Sequence, residues 1–245
     1  MSKSIGHEFM VKTRFANMES NQVKTAAQPP LEIAYDHTKT IIDLPMPEEI
    51  PAINVDFMAI VELRASVREY QFESISLLEL SYLLWCTQGV KQILGNNKAT
   101  LRTVPSAGAR HAFETYLLIH NIEGVKPGLY RFLALEHKLL EIDVSERISQ
   151  EITNACLEQQ FVAKSAVTFL WVADVSRMKW RYGERAYRYL HLDAGHTCQN
   201  LYLSAQVIGC GVCAIAAFDD EYMNKVLGID GEEQFVIYAA AVGKR

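Results

Sequence analysis

Several features that would place this 245-residue chain in a familiar class are absent from it. No apolar run reaches the roughly 18–20 residues that a membrane span needs. The first residues carry no charged segment followed by an apolar stretch, so no secretory signal is expected. Lys/Arg-rich blocks are missing and the net charge is −5. Nucleic acid and anionic membrane are therefore excluded as main partners, because both select a basic face. The cysteines number five, an odd count that makes no disulfide framework, and a reducing cytoplasm is the expected location. Cys210-Gly-Val-Cys213 is a single CxxC with no second pair, so no metal site is expected. No GxGxxG occurs, and no regular βα alternation of a Rossmann sheet is visible. Internal repeats and low-complexity tracts are also missing.

What remains is an ordinary globular composition, with 49% hydrophobic and 22% charged residues. Proline is distributed unevenly. Pro29, Pro30, Pro45, Pro47 and Pro51 fall in the first 51 residues, and only Pro105 and Pro127 follow. We therefore divide the chain into an extended N-terminal arm, residues 1–55, and one domain, residues 56–245. The arm holds Leu31, Ile33, Tyr35, Ile41, Ile42 and Leu44, too many apolar residues for a free tail. It is expected to lie on a surface, of this chain or of a second subunit, with one small helix near Glu8–Met18.

Patterning in the domain predicts mixed α and β elements. A helix is expected over Asp56–Arg64 and a strand over Val67–Phe72. Ser76 with Glu79 three residues later forms a capping box, opening a helix that runs to about Thr87 and stops near Gly89. Residues 90–104 read as a polar loop around Gly95-Asn96-Asn97. Glu114–Asn121 alternates as a strand. Gly128–Ala134 and Lys138–Ile142 form a hairpin about Glu136-His137. Ser145–Glu158 reads as helical. The near-continuous apolar run Ala166–Val175 reads as a strand buried on both faces. The longest helix covers Gly183–Ile208, with Leu192, His196, Gln199, Leu203 and Val207 at helical spacing and Gly209 as its end. Strands over Val212–Ala216 and Phe235–Val242 flank a short helix near Asp219–Leu227.

Two separated segments carry the chemistry. In Arg64-Ala65-Ser66-Val67-Arg68, two guanidiniums and a hydroxyl follow a helix, a donor set that suits a phosphate monoester. In Pro105-Ser106-Ala107-Gly108-Ala109-Arg110, small residues leave room for backbone N–H groups to approach a flat polar ring. Gly243-Lys244-Arg245 adds positive charge after an apolar strand. Together they point to a phosphorylated, ring-bearing cofactor. His196, on the long helix with Asp193 and Gln199, can shuttle a proton near neutral pH or sit as a satisfied core histidine. Asp193 reads as an orienting or capping group. The interleaved Tyr182, Tyr187, Tyr189 and Arg181, Arg185, Arg188 read as a dimer surface or substrate-facing rim.

These segments resemble the nitroreductase family of flavin enzymes, and within it the branch of thiazole/oxazole peptide dehydrogenases. The likeness rests on Arg64–Tyr70, Thr103–Glu114, Tyr189–Leu201 and Ile208–Phe218, in family order. The resemblance implies an α+β fold, with an antiparallel-rich central sheet flanked by helices in an intertwined homodimer, and FMN at the dimer interface. It implies that Arg64, Ala65, Ser66 and Arg68 bind the phosphate, ribityl chain and ring edge of FMN, joined by Lys244 or Arg245. Pro105, Ser106, Ala107 and Gly108 would line the ring from the other subunit. Ala216 and Ala217 would lie near flavin N5, where a backbone N–H steadies the reduced ring. The azoline-oxidising members use a Lys-Tyr pair near the long helix. Here the region reads Arg185-Ala-Tyr187-Arg188-Tyr189, so Tyr189 and His196 are the candidate catalytic residues. The implied activity is hydride transfer from NAD(P)H through FMN to a small aromatic acceptor such as a nitroaromatic or quinone. The alternatives are azoline oxidation within a peptide-modifying complex and a non-catalytic flavin-binding scaffold.

Overall fold

The computed structural model describes residues 4–51 and 54–245, so the expected arm is described apart from residues 1–3, 52 and 53. Its elements are, in order, α1 (Ile5–Lys12), β1 (Ile41–Asp43), α2 (Phe57–Leu63), α3 (Leu77–Gln88), β2 (Val90–Leu94), β3 (Ala99–Arg102), β4 (Phe113–Ile119), β5 (Gly128–Leu133) and β6 (Lys138–Asp143). There follow α4 (Ile148–Ala155), α5 (Gln160–Lys164), β7 (Val167–Asp174), α6 (Val175–Tyr182), α7 (Ala186–Val207), β8 (Cys210–Ile215), α8 (Asp220–Leu227) and β9 (Gln234–Lys244).

Seven strands form one sheet in the order β1-β6-β5-β4-β7-β9-β8, and every neighbouring pair is antiparallel. This is the expected α+β, antiparallel-rich architecture. The period-2 pleat sorts side chains between two cores. Phe169 and Trp171 of β7 face a layer containing Leu80, Leu83 and Leu84 of α3 and Leu190 and Leu201 of α7. Leu170 and Val172 face Ile148 and Ile152 of α4 and Met223 and Leu227 of α8. Every residue of β7 is buried, as its apolar run requires.

Two expectations for the domain are corrected. Residues 90–104 are not a polar loop. They hold the β2–β3 hairpin, turned by Gly95, Asn96 and Asn97, all at positive φ. Val67–Phe72 is not a strand. It is extended but crosses two strands instead of following one: the Val67 N–H donates to Val212 O (2.8 Å) on β8, and the Gln71 N–H to Lys244 O (2.9 Å) on β9. The crossing packs Val67 on Gly211 and Tyr70 on Gly243, two register partners. A Cβ at either glycine would lie 2.6 Å from the side chain above it. The stripe Leu192-His196-Gln199 has helical spacing but faces outward. The buried face of α7 is Leu190, Asp193, Ala194, Thr197, Cys198, Leu201, Tyr202 and Ala205, where small residues let the helix approach the sheet closely.

Residues of the first 55 dock on this same chain. Instead of one helix over Glu8–Met18 there are α1 and a 3-10 turn at Phe15–Asn17. β1 pairs with β6, Leu44 enters the core, and Pro45 O accepts the Ser81 hydroxyl (2.6 Å). The Ile33 N–H donates to Glu114 Oε1 (2.9 Å), while Arg131 donates to Ile33 O (2.9 Å). Glu114 also pairs with Arg177, and both side chains are buried.

Candidate functional site

Asp56 caps α2 by accepting from the Met58 and Ala59 N–H groups, which fixes where the helix starts. The helix ends at Arg64, whose guanidinium lies over the Tyr202 ring, 5.5 Å from its centroid. Ser66 Oγ meets Tyr202 Oη at 2.9 Å, and the backbone of Ser66 bridges Val212. The Ala214 N–H donates to the same phenol oxygen (2.9 Å). Tyr202 thus ties Arg64 and Ser66 to β8. Arg68 is exposed and its guanidinium lies over Phe161, 5.9 Å from the ring centroid. Ala65 is exposed. Among the described residues neither Arg64 nor Arg68 has a carboxylate within 4.0 Å, so the surface ion pairs their acidic neighbours could have offered are not formed.

Lys244 is engaged differently. Its ammonium donates to Glu79 Oε1 (2.5 Å) and Ile208 O (3.1 Å). Burial alone would lower its pKa, but the bond to Glu79 wins and holds it above the ordinary lysine value. Glu79 is in turn the capping-box carboxylate of α3, so one side chain serves both the helix start and Lys244. Arg245 is exposed, and its N–H donates to Gly209 O (3.3 Å).

The second segment lies toward the other end of α7. Ser106 opens a short 3-10 turn, Ala107–Ala109, in which Gly108 sits at φ +59°, a conformation that favours glycine. The Ala107 N–H donates to both oxygens of Asp193 (3.3 Å each), and the His111 N–H to Ser106 Oγ (2.9 Å). Burial raises the Asp193 pKa, although the Ser106 hydroxyl, the Ala107 N–H and His196 pull it down. Asp193 therefore orients the loop, as its sequence position suggested. Asp193 and Tyr202 are nine residues apart on α7, about 13 Å at 1.5 Å per residue. One helix thus indexes both candidate segments.

The other candidates are more scattered. His196 is exposed beside Asp193. Tyr189 Oη accepts from Arg185 Nε (2.8 Å), and its ring lies 4.6 Å from that of Tyr182. Ala216 and Ala217 are exposed after β8. Ala217 O accepts from Gln159 (2.8 Å), but neither alanine N–H donates a hydrogen bond among the described residues. Cys210 and Cys213 are three positions apart on β8, so the pleat sends their side chains to opposite faces; both are buried free thiols. Tyr202 and Glu79 carry roles here that patterning did not assign. A tyrosine hydroxyl on the apolar side of a long helix was the available signal, since such a group needs a buried partner.

The nitroreductase family pattern matches residues 61–244. A Methanocaldococcus jannaschii protein classed with the nitroreductases is 33% identical over 204 residues, covering 83% of this chain and 96% of that one. The trifolitoxin-processing protein TfxB of Rhizobium leguminosarum is 27% identical over 133 residues, 53% of this chain; the chain spans only 36% of TfxB. Among solved structures, a nitroreductase-type protein from Anabaena variabilis superposes with a TM-score of 0.68 at 26% identity. That match covers 85% of this chain but 42% of the Anabaena chain. A chain of the Escherichia coli microcin synthetase McbBCD complex, bound to truncated pro-MccB17, superposes with a TM-score of 0.62 at 19% identity. It covers 98% of this chain and 92% of that one, a likeness of fold.

Proposed function

The chain belongs to the nitroreductase family, and on that premise we propose that it is an FMN-dependent oxidoreductase using NAD(P)H as donor and a nitroaromatic or quinone as acceptor, in a ping-pong cycle. The observation that carries the reading is the unpaired state of Arg64 and Arg68 around Ser66. Two half-exposed or exposed guanidiniums without a carboxylate, beside a positioned hydroxyl, fit a phosphate monoester. The Ala214 N–H and the Ser66 hydroxyl both meet Tyr202 Oη, which fixes the Ser66 hydroxyl beside the two guanidiniums. Arg245 extends toward the same end of the sheet, whereas Lys244 contributes through its charge while bonded to Glu79.

FMN, when bound, supplies reversible two-electron acceptance. Asp193 fixes the Pro105–Gly108 loop against which the ring is proposed to lie. The free N–H groups of Ala216 and Ala217 are the donors suited to negative charge on a reduced ring. Arg185 donates to the Tyr189 phenol oxygen and holds it in place. His196 is exposed beside Asp193, where its ring is open to a bound substrate.

A second reading, azoline oxidation within a peptide-modifying complex, is supported by the similarity to TfxB and by the fold shared with the microcin synthetase chain. Anaerobic addition of NADPH and NADH to the purified yellow protein separates the two. Immediate bleaching of the flavin bands supports the reductase. Bands that persist favour the peptide oxidase. Arg64→Ala is expected to purify without flavin, and stoichiometric FMN retained in that variant counts against the phosphate assignment.

A further inference from the structure

The corner where α6 meets α7 is gripped from outside by the first residues of the chain. Arg185 Nη1 donates to Thr13 O (2.8 Å). Arg188 donates through Nε to Thr13 Oγ1 and through Nη2 to Met10 O (2.6 Å each). Further along, the Gln22 N–H donates to Trp180 O (2.8 Å), and Trp180 Nε1 donates to Ala26 O (2.9 Å). Between these two anchors the segment crosses Gly183, at φ +52°, where a Cβ would collide with Glu19 O. Only glycine leaves room for that crossing.

The two halves of the N-terminal arm are held by different forces. Its root is fixed: Leu44 lies in the core, β1 is paired with β6, and Ile33 bonds the buried Glu114. Its tip is tied by hydrogen bonds alone. No residue of α1 is buried, and Ile5, Phe15 and Val23 are exposed. A segment with little apolar burial opens at low free-energy cost, separately from the core. Its inner contact leads to the candidate site. The Trp180 ring carries the Arg110 guanidinium, 5.3 Å from the ring centroid. Arg110 in turn donates to Gly108 O (3.1 Å) on the ring-lining loop and to Lys98 O (3.1 Å) on the β2–β3 hairpin. Tyr182, two residues past Trp180, packs its hydroxyl on Gly108. Contact therefore runs unbroken from the arm tip, through Trp180 and Arg110, to Gly108.

We infer that residues 13–26 form a strap that opens and closes over the α6–α7 corner, and that Trp180 is the positioning residue through which the closed strap holds Pro105–Arg110 in place and limits the access of solvent to the ring this loop lines. The strap engages both polar groups of Trp180, its carbonyl and its indole N–H, so closing it fixes the backbone and the side chain of the residue that carries Arg110. A segment serving only as a brace would be seated as Leu44 is, by apolar burial. The inference rests on the proposed function for the identity of the ring, but not for the existence of the strap.

Hydrogen exchange of the full-length protein, read by mass spectrometry, follows the strap (residues 19–26) and the loop (residues 105–111) separately. Trp180→Phe keeps an aromatic ring beneath Arg110 and removes the indole N–H. Exchange over 19–26 is expected to quicken about 10-fold, the effect of one lost hydrogen bond, and exchange over 105–111 to quicken with it. Gly183→Ala, whose Cβ displaces Glu19, is expected to open the strap further; Trp180→Phe carries the test if that variant does not fold. Iodide quenching of flavin fluorescence in the FMN-loaded protein is the spectroscopic readout, and its quenching constant is expected to rise toward that of free FMN in both variants. Faster exchange in the strap with the loop or the quenching unmoved would overturn the proposal, reduce the segment to a brace and leave the flavin reading intact. Unchanged exchange over 19–26 in Trp180→Phe would overturn it as well. A wild type that takes up no FMN, with strap and loop still exchanging together in the variants, would sink the flavin reading and leave the strap standing.

Discussion

His111 stands one residue past Arg110, at φ +42°, with its N–H on Ser106 and its carbonyl accepting from Arg177 (3.4 Å). Burial, then the charges of Arg102 and Arg110, lowers its pKa from 6.5 to about 3. The folded value is depressed, so the native state keeps the ring neutral where the unfolded chain would protonate it. Stability from this group is present above pH 6.5 and is lost as pH falls toward about 3. His111→Asn, a residue that tolerates positive φ, is therefore expected to flatten the acid limb of stability. Urea unfolding at pH 7, 6, 5 and 4 checks this, and parallel curves for variant and wild type would refute it. The neighbourhood explains the cost. Arg102 is fully buried, with its pKa lowered to about 10 by burial and by Arg177, and holds Gln88 at 2.8 Å. A second positive charge beside it is poorly tolerated.

At the scale of elements, α3 shows a capping device with two duties. Ser76 Oγ accepts from the Glu79 N–H (3.2 Å), and Glu79 Oε2 accepts from the Ser76 N–H (2.9 Å), while Oε1 takes Lys244. Ser76→Ala is expected to cost about 1 kcal/mol. It should lower Tm by about 2–4 °C in a chain of this size. Calorimetry measures it, and an unchanged Tm would show that the cap carries no weight. That box was legible in the sequence because its two residues are three apart. So were the β7 run, the β5–β6 hairpin and the end of α7 at Gly209. The 67–72 segment was misread because its alternation is real but its partners lie on two strands. The β2–β3 hairpin was missed because its residues are mostly exposed and its apolar signal weak. In the site, Arg64, Ser66 and Gly108 could be found because they are clustered locally. The ties from Tyr202 to Ser66, Asp193 to Ala107 and Glu79 to Lys244 join residues 136, 86 and 165 positions apart, and no local pattern encodes them.

At the scale of the molecule, the outward stripe of α7 adjoins an α2 whose Phe57, Met58 and Leu63 are at least 60% exposed. Phe57 and Ile60 also wall an apolar hollow of about 330 Å³ that reaches Trp85 and Leu203. Apolar surface of that extent is costly to leave in water. The homodimer that the family resemblance implies would cover it and would bring the ring-lining loop of one protomer toward the phosphate-binding candidates of the other. Sedimentation of wild type is expected to give a dimer, and the double variant Phe57→Glu, Leu63→Glu a monomer with native circular dichroism. A monomeric wild type would overturn this arrangement.

The position of β9 between β7 and β8 also sets a schedule for synthesis. Strands β4 to β7 can assemble as they emerge, but β8 joins the sheet through β9, with the Ser66–Val67 backbone bridging it at Val212 alone. Until residue 244 has left the ribosome, Val167–Asp174 waits with one bare edge, and Cys210–Ile215 lacks its partner in the sheet for roughly the few seconds that about 30 residues take to make. A nascent chain stalled before Gln234 therefore exposes an apolar strand edge to any passing sheet, and the same chain extended past Lys244 closes it with β9.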